Sequence, residues 1–143
     1  MLILLDTTVL IDYLRGFPAA DHLDRRLDRG DIACTTAVNV EEAARGLRPG
    51  EEVDAARLIE GPTVLTLGAD EGWRAGSWRR AFASRGVTLS QPDCLIAAAA
   101  LTAEAVLATG DPKDFPMEEI RVEHWPVGRW FRPLPRMYVM PPQ

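Results

Sequence analysis

Short apolar runs alternate with amphipathic segments along most of the chain. Between the runs, apolar residues recur at helical spacing, as at Leu23 and Leu27, which lie four apart on one helix face. The runs themselves have the length and the continuous apolar character of strands buried on both sides. Strands that alternate with helices predict an α/β fold with a mostly parallel central sheet flanked by helices on both faces. The predicted strands cover residues 2–5, 31–35, 63–67 and 105–108, and a predicted edge strand covers 121–125.

Capping and breaking residues delimit the predicted helices. Thr7 or Thr8 caps the first helix, and Ser90 opens a long apolar helix that reaches residue 104. We find no internal repeat, and we predict one domain over residues 1–127 followed by a tail over 128–143. The tail is rich in proline, aromatic residues and arginine, and we expect it to be poorly ordered rather than packed on a partner. The other predicted helices cover residues 19–29, 36–47, 51–60 and 70–84.

Composition narrows the class of protein. The 143 residues are 47% hydrophobic and 26% charged, as in ordinary globular proteins. No stretch approaches the roughly 20 apolar residues of a membrane-spanning helix, and the apolar start is too short for a signal peptide. We therefore expect a cytoplasmic protein with no membrane partner, in which Cys34 and Cys94 are buried thiols and not a disulfide.

The net charge of −5 argues against a nucleic-acid partner when it is taken alone. Phosphate binding favours a basic surface, and an acidic one repels the backbone. The objection loses its weight if several carboxylates converge on divalent cations, because each cation offsets charge where a phosphate must approach. The case for nucleic acid therefore depends on the site and not on the total charge.

Acidic residues stand where a parallel sheet places its ligands. Asp6 follows the first predicted strand, and Asp111 follows the run 105–108. Ligands bind beyond the carboxyl ends of parallel strands, and Asp93 and Glu42 lie on helices that could bring them to the same crevice. Oxygen-only ligands select magnesium or manganese over zinc. Such an ion can activate a water for attack on a phosphodiester, provided that the four acids converge.

Each of these residues also has a purely structural interpretation. Asp6 could cap the first helix, although capping by Thr7 or Thr8 would leave it free. Asp93 could pair with Ser90 in a capping box. Gly110-Asp111-Pro112 is favourable turn chemistry, and Thr109 is either a turn hydroxyl or a group that orients a carboxylate or a water.

Four segments, in order, resemble the motifs of PIN-domain ribonucleases. They are LLDTTVLIDYLRG, VNVEEAARGL, SQPDCLIAAAAL and LATGDPKDFP. The resemblance matches Asp6, Glu42 and Asp93 to the acids of the first three motifs, with Glu42 preferred to Glu41. The segments span residues 2 to about 127, nearly the whole predicted domain.

The fourth motif leaves two aspartates in competition for the last acidic role. The family often has asparagine where Asp111 stands, so that Asp111 and Asp114 are both candidates. We place Asp111 at the metal and give Asp114, Thr109 and Thr8 supporting parts, with Asp114 as the alternative fourth acid.

The resemblance implies a PIN-like fold and a magnesium-dependent endoribonuclease, with manganese as a possible substitute. It further implies a VapC-type toxin of a bacterial toxin–antitoxin pair, usually a homodimer, neutralised by a cognate VapB-like antitoxin and leaving 5′-phosphate and 3′-hydroxyl RNA ends. Arg15 and Lys113 lie close to the motifs and are candidates for RNA phosphate contacts. Guided by the family, we expect segments 19–29 and 51–60 to form a groove for an antitoxin helix.

Two other functions compete with this one. A haloacid-dehalogenase-like phosphatase also carries an aspartate after its first strand, but it needs a second acid two residues later, where Thr8 stands. A catalytically inactive scaffold that binds metal or antitoxin is the other alternative, and the intact set of acids argues against it.

Overall fold

A five-stranded parallel sheet forms the centre of the computed structural model, which describes residues 1–128. All four strand pairings are parallel, and the strand order is β3-β2-β1-β4-β5. The first strand therefore lies in the middle of the sheet, as its unbroken apolar sequence predicts. The strands are β1 (Leu2–Leu5), β2 (Ile32–Thr35), β3 (Thr63–Val64), β4 (Val106–Thr109) and β5 (Arg121–His124).

Helices cover both faces of the sheet, and two hydrophobic clusters result. In β1, Leu4 belongs to the cluster beneath the helices over residues 69–83 and 91–103. Ile3 and Leu5 belong to the cluster beneath the helices over residues 7–14 and 18–28. All three side chains are fully buried. The predicted α/β fold with a mostly parallel sheet is confirmed. The helices are α1 (Thr7–Leu14), α2 (Pro18–Asp28), α3 (Ala37–Arg45), α4 (Glu52–Glu60), α5 (Ala69–Ala83) and α6 (Gln91–Ala103), with a 3₁₀ turn at Pro112–Asp114.

Two local predictions are wrong, and each has a physical reason. Strand β3 stops at Val64 instead of residue 67, because its partner β2 ends at Thr35, whose carbonyl accepts the Leu65 N–H at 2.8 Å and has no successor in the strand. Leu65 and Leu67 pack against the core cluster instead. The cap of α1 is Asp6 and neither of the threonines, since the Asp6 side chain accepts the Thr7 backbone N–H.

Several other predictions can be compared with the described residues. Cys34 and Cys94 are free, buried thiols, as predicted. No helix within residues 1–128 is long and apolar enough to cross a lipid bilayer. The predictions for the tail after Gly128 fall outside the described residues, and the domain boundary at residue 127 stays a prediction.

Candidate active site

The Asp6 carboxylate lies at the end of the central strand and is held on both of its oxygens. Oδ1 accepts the backbone N–H of Thr7 at 2.8 Å, and Oδ2 accepts the hydroxyls of Thr109 at 2.7 Å and Thr8 at 3.2 Å. Burial raises the pKa of Asp6, these hydrogen bonds lower it, and the charge of Glu42 raises it further; the net effect is an increase. The three hydrogen bonds fix where a buried negative charge stands.

Neighbouring strands bring Thr109 to Asp6. The β1–β4 pairing aligns Leu5 with Ala108, so that the residues that follow meet at the same edge of the sheet. The Thr109 hydroxyl also accepts the backbone N–H of Asp111 at 3.0 Å. Both sequence-based interpretations of Thr109 therefore apply, because one hydroxyl orients a carboxylate and stabilises the turn.

The loop after β4 is docked against the start of α1. The Gly110 backbone N–H donates to the Thr8 hydroxyl at 3.2 Å. A Cβ at Gly110 would lie only 2.6 Å from a methyl carbon of Val127, so this close approach requires glycine. The loop that carries Asp111 and Asp114 is thereby tied to the helix capped by Asp6.

Glu42, and not Glu41, faces the site. The Thr7 hydroxyl donates to Glu42 Oε1 at 2.7 Å, which joins α3 to the first residue of α1. Glu41 is exposed and pairs with Arg45 on the same helix. Sequence reasoning missed Thr7, which it treated as a helix cap, and its position beside Asp6 was the only signal available.

Asp93 lies in the first turn of α6, and its carboxyl group has the largest pKa shift among the acids of the site. Burial raises its pKa to about 6, a hydrogen bond with Ser90 opposes the shift, and the charges of Asp6, Asp114 and Glu42 add to it. Its backbone N–H donates to the Ser90 hydroxyl, which caps the helix as predicted. Asp93 can therefore take part in helix capping through its backbone N–H and still present its carboxylate to the neighbouring acids.

Asp114 and Asp111 differ in their relation to this cluster. The charge of Asp114 is among the effects that raise the pKa of Asp93, whereas Asp111 is tied to the site by its backbone N–H, which donates to the Thr109 hydroxyl. Asp111 precedes the 3₁₀ turn, and Asp114 is the last residue of that turn. The charge of Asp114 therefore acts on the cluster, and the choice between Asp111 and Asp114 as the fourth acid stays a prediction.

The donor set of the site fits a hard divalent cation that keeps much of its water. Within residues 1–128, no lysine or arginine forms an ion pair with Asp6, Glu42, Asp93 or Asp114, although the charge of Arg45 interacts with that of Glu42, so protein charge compensates their mutual repulsion only in part. The described residues also contain no group of three acids, thiols or imidazoles gathered closely enough to enclose a metal. Mg²⁺ commonly binds through one or two carboxylates and retains several waters, so such an open arrangement suits it.

The two basic residues predicted to contact RNA are placed differently. Arg15 is engaged by Glu51 through its Nε at 3.0 Å, a bond that joins the end of α1 to the start of α4. Lys113 is exposed on the 3₁₀ turn beside Asp114. A role of either residue in RNA binding stays a prediction.

Two comparisons with known sequences match most of the chain. The PIN domain family matches residues 3–119. Ribonuclease VapC19 of Mycobacterium tuberculosis is 35% identical over 117 residues, which cover 80% of this chain and 92% of that protein.

Solved structures share the fold at low sequence identity. VapBC2 from Rickettsia felis, bound to a DNA fragment from its promoter, aligns with a TM-score of 0.75 and 17% identity, covering 87% of this chain and 99% of that one. VapBC-1 from nontypeable Haemophilus influenzae aligns with a TM-score of 0.74 and 22% identity, covering 87% and 98%.

Proposed function

The chain belongs to the PIN-domain family, and from this premise we propose that it is a magnesium-dependent endoribonuclease toxin of the VapC type. The observation that carries the proposal is a buried aspartate at the end of the central strand that shares its surroundings with Glu42, Asp93 and Asp114, without a basic partner among the described residues. Mn²⁺ is expected to substitute for Mg²⁺, because both prefer oxygen ligands. An RNA substrate places this activity in the cytoplasm.

The metal is proposed to bind at the cluster of Asp6, Glu42, Asp93 and Asp114, directly to one or two of these carboxylates and through water to the others. The sequence favoured Asp111 as the fourth acid. We now prefer Asp114, because the charge of Asp114 acts on Asp93. Asp111 is then left to shape the loop through its bond to Thr109. When bound, Mg²⁺ supplies an activated water and offsets charge on the scissile phosphate.

The protein's own residues supply position and charge. Thr8 and Thr109 hold one oxygen of Asp6, and the Thr7 hydroxyl holds Glu42. A cluster of acids that lacks an ion-paired base among the described residues repels an RNA phosphate, so productive approach depends on the cation. Attack of water on phosphorus with departure of the 3′ oxygen gives the 5′-phosphate and 3′-hydroxyl ends that the family resemblance implies.

A phosphatase of the haloacid-dehalogenase type is disfavoured at Thr8. That chemistry needs an acid two residues after the first aspartate. Here the Thr8 hydroxyl donates to Asp6 and accepts the Gly110 backbone N–H, which gives it a structural role in the site. An inactive scaffold would not need to retain four acids whose repulsion costs stability.

An apolar groove on the α1, α2 and α4 face suits a helical inhibitor. Its volume is about 650 Å³, and it carries both a carboxylate, Asp54, and a guanidinium, Arg57, at its border. An amphipathic helix commonly binds such a groove through its apolar side. We propose that a VapB-like antitoxin occupies it, in line with the VapBC complexes of similar fold, and that the toxin is a homodimer. The apolar lining includes Tyr13, Leu14, Leu23, Leu27 and Leu58.

Cleavage of single-stranded RNA by the purified chain tests the proposal. We expect internal cleavage with Mg²⁺ or Mn²⁺, none with excess EDTA, and no release of phosphate from a small monoester. Asp6→Asn and Asp114→Asn should reduce the rate by about 100-fold or more, because the loss of a residue that only supports a metal ligand already costs about 10–100-fold. Asp111→Asn should reduce the rate far less. Circular dichroism would verify that each variant is folded.

Three outcomes would contradict the proposal in different places. Cleavage that persists in EDTA would remove the metal mechanism. Full activity of Asp6→Asn would remove the site assignment. A greater loss in Asp111→Asn than in Asp114→Asn would restore the choice made from the sequence.

A further inference from the structure

Asn39 is a fully buried polar side chain on α3, one helical turn before Glu42. Its backbone N–H donates to the hydroxyl of the capping residue Thr36 at 3.3 Å, which is ordinary helix capping. Its side chain does something that capping does not require. The amide accepts the Thr36 hydroxyl at 2.7 Å and donates to the Thr7 hydroxyl at 3.2 Å.

The direction of these hydrogen bonds follows from their end point. An ionised carboxylate only accepts, so the Thr7 hydroxyl must donate its single proton to Glu42 Oε1 at 2.7 Å. Thr7 can then only accept from Asn39, which turns the NH₂ group toward Thr7 and the amide oxygen toward Thr36. Every proton in this chain of four residues points toward Glu42.

The chain engages one carboxylate oxygen and leaves the other available. Among residues 1–128, Glu42 Oε1 accepts from Thr7, and no hydrogen bond is made to Oε2. A threonine hydroxyl with no other hydrogen-bond partner could turn away from the carboxylate. The hydrogen bond from the Asn39 amide restricts the Thr7 hydroxyl to the orientation in which it donates to Glu42. A carboxylate held in this way loses little freedom when it engages a cation.

We propose that Asn39 is a positioning residue for Glu42 and acts through Thr7. The inference rests on the proposed function, since it assigns Glu42 a part in holding the divalent ion. Asn39 itself touches neither metal nor RNA. Sequence reasoning missed it because the hydrogen-bonded partners come from α1 and α3, which only the fold brings together.

The affinity for Mn²⁺, measured from the electron paramagnetic resonance of the free ion, tests the inference without relying on cleavage. Asn39→Leu replaces the amide by an apolar group of similar shape and should weaken Mn²⁺ binding about ten-fold. Thr7→Val should weaken it similarly, and Thr7→Ser, which keeps the hydroxyl, should restore affinity close to that of the wild type. In a Glu42→Gln background, Asn39→Leu should cause no further loss.

A matched control separates positioning from a general weakening of α3. Val38 is the neighbouring residue on the same helix and packs against the core. Val38→Ala should lower the melting temperature and leave the Mn²⁺ affinity unchanged. If Asn39→Leu does not fold, the Thr7→Val and Thr7→Ser pair carries the test alone, because Thr7 is only partly buried.

The possible failures are distinguishable. A wild-type protein that binds no Mn²⁺ overturns the proposed function and this inference together. If the wild type binds Mn²⁺ and Asn39→Leu and Thr7→Val bind it equally well, only the inference is overturned. If Asn39→Leu weakens Mn²⁺ binding as much in the Glu42→Gln background as in the wild type, Asn39 has a structural role and the inference is overturned as well.

Discussion

Asp93 shows at the scale of one residue how a clustered acidic side chain can oppose folding. Burial raises its pKa to about 6, and three neighbouring acids add to the effect. The unfolded chain has an ordinary aspartate at this position, so it releases the proton at lower pH than the folded chain does. Between these two pKa values, rising pH therefore lowers the stability of the metal-free protein.

Replacement of Asp93 by asparagine should consequently stabilise the metal-free protein at about pH 8. We expect a gain of about 1–2 kcal/mol after allowance for solvent screening, and almost no gain at about pH 2.5, where the aspartate is protonated in both states. Denaturant unfolding at both pH values would measure this. Mg²⁺ should raise the melting temperature of the wild type but not of Asp93→Asn. A variant that is less stable than the wild type at about pH 8, or that gains equally from Mg²⁺, would contradict the argument.

The residue scale also shows how far sequence reasoning reaches. Asp6, Glu42 and Asp93 could be singled out because each stands beside a recognisable strand or helix signal. The preference between Asp111 and Asp114 could not be settled, because it depends on which way a 3₁₀ turn directs two nearby carboxylates. The role of a hydroxyl such as Thr7 was invisible, since its partners lie 32 and 35 residues away in the chain.

At the scale of elements, the site depends on how loops and helix ends meet at one edge of the sheet. The apolar runs predicted nearly every strand and helix, because their periodicity reflects burial on the sheet. They could not predict that β3 would be cut short, since its length depends on where β2 ends. The docking of the loop after β4 was equally hidden, because it depends on the approach of Gly110 to Val127.

Gly110→Ala should therefore disturb the site, although Gly110 itself is not one of the clustered acids or their hydroxyl partners. The new methyl group would meet the stiff, branched side chain of Val127 at 2.6 Å, so the loop must shift and strain Thr8 and Thr109. We expect a loss of about 1–3 kcal/mol in unfolding free energy and reduced cleavage. The matched control is Gly76→Ala on α5, where a Cβ meets nothing within 4 Å, and which should stabilise the protein by about 0.4–1 kcal/mol.

A second substitution checks the cause of that damage. Removal of the two methyl groups in Val127→Ala leaves only its Cβ, 3.2 Å from the added atom. The double variant should thus recover part of the cleavage rate lost in Gly110→Ala. No recovery would place the fault elsewhere than in this contact.

At the scale of the whole molecule, α1 connects the acidic cluster with the apolar groove. Its first residues, Thr7 and Thr8, support the acidic cluster, and its last turn contributes Tyr13 and Leu14 to the apolar groove. A helix of this length spans about 12 Å. An antitoxin bound in the groove, as proposed, would lie close to the acids without sharing their residues, so we expect that mutation can separate inhibition from cleavage.

Leu27→Glu is the variant that should separate them. Leu27 lines the groove and is 39% exposed, so a charged side chain there costs little folding stability while it places an unpaired carboxylate against the apolar side of an incoming helix. We expect unchanged RNA cleavage in vitro and a loss of neutralisation by the cognate antitoxin, measured as growth arrest during co-expression and as failed co-purification. Val53→Glu is the control, because Val53 is 65% exposed on α4 but does not line the groove, and neutralisation should survive it. If Leu27→Glu remains fully neutralised, the antitoxin binds another face of the molecule; if it also loses cleavage, the groove and the acidic cluster are not independent.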